Sequence, residues 1–268
     1  METVDKTILS WDVGVHNLAY CILSYNKEAY RFPILKWEVI DLLDTSDGGE
    51  NDDKCTYLMK NGDVCGKKAM FKSSNMMFCT RHSKVKDVVS NKEIGEIVAI
   101  KQPTKKEIQE KGSLINLGKS MFKKLDERPF MLDVSTVIIE NQPCMKNPKM
   151  KSVQMMLFSY FVLKGVMPIE SHIDHIQLIA ARNKLKVYKG PEIKSDKKTV
   201  YARTKDLGIK YCTSMIDDDP ENSEFLKTHK KKDDLCDAYL QGAFYFVNMI
   251  DPVISKKDKA KIKVDAKK

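Results

Sequence analysis

One acidic residue, Asp12, lies inside an otherwise apolar segment that runs from Ile8 to Tyr20. The segment has the pattern of a strand, a turn at Gly14 and a second strand. A carboxylate buried there costs several kcal/mol unless a partner compensates its charge, so this placement indicates a metal or phosphate site. Acidic partners are available at 137–140 and 233–237. The alternative is that Asp12 only begins the turn with Gly14.

The order of the predicted elements indicates a mixed α/β sheet flanked by helices. The three strands predicted near the N-terminus are expected to pair antiparallel with one another, and a later continuous apolar run predicts a buried strand. The polar stretch 217–229 is predicted to be a loop. The predicted strands are 7–13, 18–24, 34–43, 134–140 and one within 176–187, and the predicted helices are 104–125, 150–164, 194–207 and 232–249.

The segment 44–128 interrupts this order and is predicted to be an insertion that holds a distinct basic segment and a helix. It begins at a cluster of Asp, Gly and Asn residues that breaks the third strand. The core is then expected at 1–43 and 129–250. A basic tail at 251–268 is predicted to be flexible, because 254–268 holds seven Lys and two Asp.

The chain is basic, with a formal net charge of +9 and a pI of about 9.0. This balance favours a polyanionic partner such as nucleic acid. No apolar run approaches the roughly 18 residues that a membrane span needs, and the N-terminus lacks the pattern of a signal peptide. The seven cysteines are odd in number and four are scattered, which predicts a reducing, intracellular setting.

Four carboxylates from three distant segments are predicted to converge: Asp12, Glu140, Asp234 and Asp237. Glu140 ends a predicted strand, where open α/β sheets bind ligands, and Asp234 and Asp237 share one face of a helix. Such a cluster repels itself unless divalent cations neutralise it, and oxygen ligands suit Mg²⁺ or Mn²⁺. Two such ions can promote phosphodiester hydrolysis. Singly, Glu140 could pair with a lysine, and Asp233 or Asp234 could complement the helix dipole.

Three motifs resemble those of RuvC-like Holliday junction resolvases, and they are closest to the versions encoded by poxviruses and other large cytoplasmic DNA viruses. The motifs are Ile8–Tyr20, Ile138–Pro143 and Lys231–Ala238. The resemblance implies an RNase H-like fold with a mixed five-stranded sheet flanked by helices. It also implies a homodimer that cuts four-way DNA junctions by paired symmetric nicks, leaves 5′-phosphate ends, and acts at the cytoplasmic replication site of a virus.

The resemblance also implies site residues. The ligands of two Mg²⁺ ions per active site would be Asp12, Glu140, Asp234 and Asp237. Either Asp233 or Asp234 could be the metal ligand, and the spacing of three residues to Asp237 favours Asp234. Lys194 resembles a residue before a DNA-contacting helix, and Lys231 and Lys232 precede the acidic pair. Bacterial RuvC has an aromatic wedge shortly after the second acidic residue, but here Asn141, Gln142 and Pro143 follow, so the junction-opening residue is not identified.

A second metal site is predicted at Cys55, Cys65, Cys79 and His82, which are spaced C-x9-C-x13-C-x2-H. Thiolate and imidazole ligands bind zinc tetrahedrally, and four of them leave no open position, so the predicted role is structural. The alternative is coincidental cysteines in a loop, since a first spacing of nine is long. This segment, about 54–86, is basic, and phosphate contacts or a solvated basic face are both compatible with Lys67, Lys68 and Arg81.

The favoured function is a metal-dependent endonuclease that resolves four-way junctions. One alternative is an RNase H-like nuclease that acts on other branched DNA or on RNA–DNA hybrids. Another is a non-catalytic, zinc-containing DNA-binding protein. A sugar-kinase-like phosphotransferase would need further glycine-rich loops, which the sequence lacks, and no Ser/His/Asp or Cys/His nucleophile arrangement is present.

Overall fold

A computed structural model of the chain describes residues 6–26, 29–43, 54–73, 76–91, 93–100, 104, 109–145 and 147–250. The described residues form two compact units, one drawn from 1–44 and 113–268 and the other from 45–112. The predicted tail at 251–268 lies outside the described residues. The predicted domain limits, with an insertion at 44–128, stay a prediction. No helix in the described ranges is long and apolar enough to cross a membrane.

A mixed five-stranded sheet forms the centre of the first unit. The strands of the described chain are β1 (Ile8–Asp12), β2 (Leu18–Leu23), β3 (Ile34–Ile40), β4 (Phe71–Lys72), β5 (Met77–Phe78), β6 (Val98–Ala99), β7 (Thr136–Glu140) and β8 (His175–Ile179). The sheet has the order β3-β2-β1-β7-β8, in which β1 pairs antiparallel with β2 and parallel with β7. β2 and β3 are antiparallel, and β7 and β8 are parallel. The predicted fold class, a mixed five-stranded sheet flanked by helices, is confirmed.

Helices cover both faces of this sheet. The regular helices are α1 (Lys86–Val89), α2 (Leu114–Asp126), α3 (Pro148–Phe161), α4 (Val200–Met215), α5 (Pro220–Thr228) and α6 (Lys232–Tyr245). Even-numbered residues of β1, such as Ile8, pack with α4, α5 and α6, whereas odd-numbered ones, such as Leu9, pack with α2 and α3. Burial on both faces explains why the strands read as continuous apolar runs.

Helix α2 is shorter than the predicted helix at 104–125. It begins at Leu114, because the Ser113 side chain accepts a hydrogen bond from the Asn116 backbone N–H and caps the first turn. Residues 105–108 of the predicted helix lie outside the described part of the chain. In the same way α4 begins at Val200 rather than at 194, after the Thr199 cap.

In the C-terminal half one prediction is confirmed and another is wrong. The strand predicted within 176–187 is β8, which ends at Ile179 because its partner β7 ends at Glu140, directly opposite. A 3₁₀ helix at Ala181–Val187 follows. The stretch 217–229, predicted to be a loop, contains α5, in which Asp219 caps the helix and Pro220 is its first residue.

The second unit contains a small three-stranded sheet in the order β5-β4-β6. Both neighbouring pairs are antiparallel. Each of its strands has only two residues, so main-chain pairing alone contributes little stability. The helix α1 follows a short 3₁₀ turn at His82–Lys84. This unit therefore depends on something other than its sheet for stability.

Candidate active site and zinc centre

Asp12 and Glu140 lie side by side at the carboxyl ends of two neighbouring parallel strands. The register pairs Ile8 with Thr136 and Trp11 with Ile139, and the same offset places Asp12 beside Glu140. Both carboxylates point to the α6 face, as even-numbered residues of β1 and β7 do. This confirms the strand positions that the sequence predicted for the two residues.

The Asp12 carboxyl group is buried and surrounded by acidic neighbours. Burial, a hydrogen bond with the Glu140 carboxyl group and the charge of Asp237 all raise the pKa of Asp12 well above its ordinary value. The positive charge of Lys184 acts in the opposite direction. The crowding of carboxylates at this site therefore disfavours the charged form of Asp12.

Helix α6 brings Asp237 to the same place. The helix lies close against the sheet at Gly242, where a Cβ atom would be 3.1 Å from Ser10 Cβ and 2.7 Å from a Leu23 methyl group. The Gln241 side chain donates a hydrogen bond of 3.1 Å to the Trp11 carbonyl oxygen, one residue before Asp12. Burial and Glu140 raise the pKa of Asp237 to about 6, although Lys184 opposes the shift.

Lys184 lies in the acidic site and is not among the residues predicted from the sequence. It lies on the 3₁₀ helix after β8, and its ammonium group donates a hydrogen bond to Asp237. The Lys184 and Asp237 side chains are only 13% and 15% exposed, so solvent screens this ion pair weakly. Burial acts against the charged ammonium, but Asp237, Asp12 and Glu140 raise the pKa of Lys184 above its ordinary value.

Asp233 and Asp234 differ in their surroundings, one turn before Asp237. Asp233 accepts a hydrogen bond from Lys205 of α4, and this contact lowers the pKa of Asp233 in spite of partial burial. One carboxylate oxygen of Asp234, Oδ2, is buried and has no hydrogen-bond partner in the described part of the chain. Burial and the charge of Asp233 raise the pKa of Asp234.

The structure thus brings three of the four predicted carboxylates together around Lys184. Asp12, Glu140 and Asp237 interact with one another, whereas Asp234 lies one helical turn away. Among the described residues, no three carboxylates have oxygen atoms that all lie within 4.8 Å of one another. The acidic site is therefore partly assembled.

The loop after β7 is held by buried amide groups. The Gln142 side chain donates a hydrogen bond of 2.9 Å to Glu140, and its backbone N–H donates one of 2.8 Å to Gln154. Gln154 is fully buried on α3 and also accepts from Lys151. These contacts fix the orientation of the Glu140 carboxylate.

The turn between β1 and β2, directly after Asp12, requires a glycine at position 14, because a Cβ atom there would lie 2.3 Å from the Asn17 carbonyl oxygen.

The four predicted zinc ligands come together in the second unit. The Sγ atoms of Cys55, Cys65 and Cys79 and a ring nitrogen of His82 all lie within 4.8 Å of one another. Cys55 Sγ is 3.4 Å from His82 Nδ1. Burial and the nearby charges of Arg81 and Lys67 lower the pKa of His82, which favours the neutral imidazole that binds metal.

The unusual spacing of nine between Cys55 and Cys65 is explained by a loop that folds back on itself. Leu58 forms a bridge with Val64, and the turn between them is made by Gly62, which has a φ of 86°. The Cys55 backbone N–H then donates a hydrogen bond to the Lys67 carbonyl oxygen. Backbone N–H groups of His82 and Arg81 lower the pKa of the Cys79 thiol, although burial opposes this.

The predicted DNA-binding residues lie mostly at the surface of their units. Lys67, Lys68 and Arg81 are exposed in the second unit. In the first unit Lys194 is exposed before α4, Lys231 is exposed at the start of α6, and Lys232 is partly buried. The exposed positions leave these positively charged side chains accessible to a polyanion.

A family model confirms the class of protein that this site resembles. The model described as mitochondrial resolvase Ydc2 / RNA splicing MRS1 matches residues 8–154, which is more than half of the chain. The chain therefore belongs to this resolvase family, and the predicted resemblance to Holliday junction resolvases is confirmed. The matched range contains Asp12 and Glu140 and ends before Asp234 and Asp237.

Individual relatives are viral and mitochondrial proteins. The chain is 33% identical over 318 residues to the uncharacterized protein L451 of Acanthamoeba polyphaga mimivirus, a match that covers 91% of this chain and 75% of the relative. The structure of the yeast mitochondrial Holliday junction resolvase Ydc2 has 14% identity and a TM-score of 0.46, covering 90% and 79% of the two chains. Fowlpox virus resolvase with its substrate Holliday junction DNA has 13% identity and a TM-score of 0.47, covering 91% and 99%.

Proposed function

We propose that this chain is a metal-dependent endonuclease that resolves four-way DNA junctions by paired symmetric nicks. The observation that carries the proposal is the meeting of Asp12, Glu140 and Asp237 at the carboxyl ends of two parallel strands, in a chain that belongs to a resolvase family. A phosphodiester substrate fits this site, because nucleic acid is a polyanion and the chain has a net charge of +9.

The acidic residues fit divalent metal ions. Carboxylate oxygens are the ligands that Mg²⁺ and Mn²⁺ prefer, and the buried, unpartnered Oδ2 of Asp234 is stabilised only if a cation or a hydrogen-bond donor reaches it. Asp233 is already paired with Lys205, which favours Asp234 as the ligand. We propose that two Mg²⁺ ions, or Mn²⁺, are held by Asp12, Glu140, Asp234 and Asp237.

When bound, such ions supply Lewis-acid activation of the attacking water and stabilisation of the leaving 3′-oxygen, so that cleavage leaves a 5′-phosphate and a 3′-hydroxyl. The protein's own residues position these events. Gln142 orients the Glu140 carboxylate, and Gln241 fixes the end of β1 beside Asp12. Lys184 places a positive charge among the carboxylates, where it can hold a non-bridging oxygen of the scissile phosphate.

The Cys55, Cys65, Cys79 and His82 group fits a structural zinc ion. Three thiols and one neutral imidazole complete a tetrahedral site, which leaves no open position for substrate. The small sheet of this unit is too short to be stable alone, so metal binding would provide its folding free energy. We propose that Lys67, Lys68 and Arg81 on this unit contact DNA phosphates.

The proposed substrate also implies an assembly. A four-way junction has near two-fold symmetry, so paired nicks follow most simply if two copies of the chain form a symmetric dimer, each with one acidic site. In the first unit, Lys194, Lys231 and Lys232 would bind the backbone of the strand to be cut. Their binding energy would fall steeply with salt concentration, because it comes from release of counterions.

A substrate panel tests the proposal. Purified protein with Mg²⁺ is incubated with labelled four-way DNA junctions, flaps, linear duplexes, RNA–DNA hybrids and branched RNA. The result expected is symmetric cleavage of the four-way junction to nicked duplexes that a ligase reseals. A preference for hybrid or RNA substrates would overturn the DNA junction as substrate. Binding of junctions without any cleavage would identify a non-catalytic DNA-binding protein.

A further inference from the structure

One stripe of residues on α4 runs along the N-terminal half of α6 towards the acidic site. Tyr201, Lys205 and Gly208 have the spacing i, i+4, i+7, which places them on one face of the helix. Lys205 donates a hydrogen bond to Asp233 of α6, and a Cβ atom at Gly208 would lie 3.4 Å from Asp237 Oδ1. The outer end of this stripe is Tyr201, roughly 10 Å along the helix axis from Gly208.

The Tyr201 ring is presented to solvent. Its side chain is 71% exposed, in the first turn of α4, and the Lys205 ammonium group lies 5.2 Å from the ring centroid. A ring with this exposure contributes little to the hydrophobic core, to which α4 contributes Cys212, with Ile209, Tyr211 and Met215 packed against it. Packing of the fold therefore does not account for an aromatic residue at this position.

The surroundings of Tyr201 are strongly basic. The segment 182–210 contains ten Lys or Arg and three Asp or Glu residues, which gives a formal charge of +7. Lys194, Lys197 and Lys198 are exposed immediately before α4. An exposed aromatic ring beside exposed lysines is a combination by which proteins bind unpaired nucleotides, because lysines hold the phosphates and the ring stacks on a base.

We propose that Tyr201 is a stacking platform for an unpaired nucleobase close to the cleaved phosphate. The roughly 10 Å between Tyr201 and Gly208 corresponds to about three stacked nucleotides. The chemical class of the ligand is a single-stranded segment, such as the one exposed where a branched duplex opens. The location relative to the cut rests on the proposed nuclease function, whereas stacking requires only that single-stranded nucleic acid binds to α4.

Fluorescence of 2-aminopurine tests this proposal. The base analogue is placed one to four nucleotides from the cleavage position of a four-way junction, and separately in a single-stranded oligonucleotide. Binding is followed in buffer with EDTA. Wild-type protein and Tyr201→Phe are expected to bind with the same affinity and to give the same change in fluorescence. Tyr201→Ala is expected to bind about tenfold more weakly and to lose that change.

A matched control is Val200→Ala, which removes an apolar side chain that is 75% exposed and adjacent in sequence. It is expected to behave as wild type, and circular dichroism should show that all variants are folded. Wild-type affinity and fluorescence in Tyr201→Ala would overturn the stacking role even if junctions are cleaved. A Tyr201-dependent signal in a protein that cuts no junction would support stacking and overturn the proposed function. Absence of binding by wild type would overturn both.

Discussion

The ammonium group of Lys184 donates a hydrogen bond to the carboxylate of Asp237, in the middle of the acidic cluster. Both side chains are mostly buried, and the charge of Lys184 acts on Asp12 as well. Lysine and carboxylate come from different elements, the 3₁₀ helix after β8 and helix α6. Their pairing compensates part of the repulsion that would otherwise keep the carboxylates apart.

Replacement of Lys184 by Met is expected to raise the pKa of Asp237 above about 6, because the charge that opposes the effects of burial and Glu140 is removed. A metal-binding carboxylate must be ionised, so cleavage activity falls as pH drops through this pKa. The acid limb of the pH profile of kcat/KM should therefore move upward by about one pH unit. The profile is measured from pH 5 to 9.

Lys186→Met is the control for that experiment. Lys186 belongs to the same 3₁₀ helix but is exposed, and its ammonium group contacts only Asn183 among the hydrogen bonds of the described chain. This variant should keep the wild-type acid limb. An unchanged acid limb in Lys184→Met would show that Lys184 does not control the ionisation of the site.

Replacement of Cys79 by Ser is expected to abolish zinc binding and to unfold the second unit, since three ligands remain and its small sheet cannot hold it together. Elemental analysis should find about one zinc ion per wild-type chain and none in the variant. Hydrogen exchange should show loss of amide protection in 54–100. Cys144→Ser, at an exposed cysteine outside the cluster, should retain zinc and protection. Purified wild-type protein without stoichiometric zinc would contradict the assignment.

The ion pair between Glu38 and Arg128 predicts a pH-dependent contribution to stability. Arg128 donates hydrogen bonds of 3.1 and 2.5 Å to Glu38, and the Tyr20 hydroxyl donates another of 2.8 Å. Burial opposes ionisation, but these donors lower the pKa of Glu38 below its ordinary value of 4.5. Arg128→Met should reduce the free energy of unfolding at pH 7 by about 1 kcal/mol, since Glu38 remains partly exposed to solvent.

The pH dependence follows from the direction of that shift. A carboxylate whose pKa is lower in the folded state stabilises the fold above pH 4.5, and loses this contribution as pH falls through the folded-state pKa. The difference between wild type and Arg128→Met, measured by urea denaturation, should therefore shrink below pH 4.5. Lys164→Met, which breaks an exposed pair with Asp126, should cost less than about 0.5 kcal/mol. A difference independent of pH would contradict this account.

Much of the sheet and the three carboxylates that meet in the acidic site could be predicted from the sequence. The apolar runs that end at Asp12 and Glu140 predict two buried strands with a carboxylate at each carboxyl end, and the structure pairs these strands. Asp237 follows from helical periodicity. The zinc ligands were also predicted, because Cys79 and His82 have a spacing that chance rarely produces in a polar segment.

Other parts of the site depend on tertiary contacts that one sequence does not reveal. Several lysines surround Lys184 in the sequence, and nothing in the pattern distinguishes it from them. In the structure, β8 ends at Ile179 because its partner β7 ends at Glu140, and the 3₁₀ helix that follows brings Lys184 to Asp237. Helix α5 was missed because its residues are mostly polar, although Asp219 followed by Pro220 is a recognisable helix start. The spacing of three to Asp237 already favoured Asp234 over Asp233 as a ligand, and the contact of Asp233 with Lys205 adds a second argument that the sequence does not contain.

The central claim is that the carboxylates around Asp12 cleave four-way junctions. It is tested most directly by the rate at which a labelled junction is cut in Mg²⁺ by wild type, Asp12→Asn and Asp174→Asn. Asp174 is exposed and precedes β8 at the opposite end of the same sheet. We predict symmetric cleavage by wild type and Asp174→Asn, and junction binding without cleavage by Asp12→Asn. Cleavage by Asp12→Asn at the wild-type rate would contradict the account.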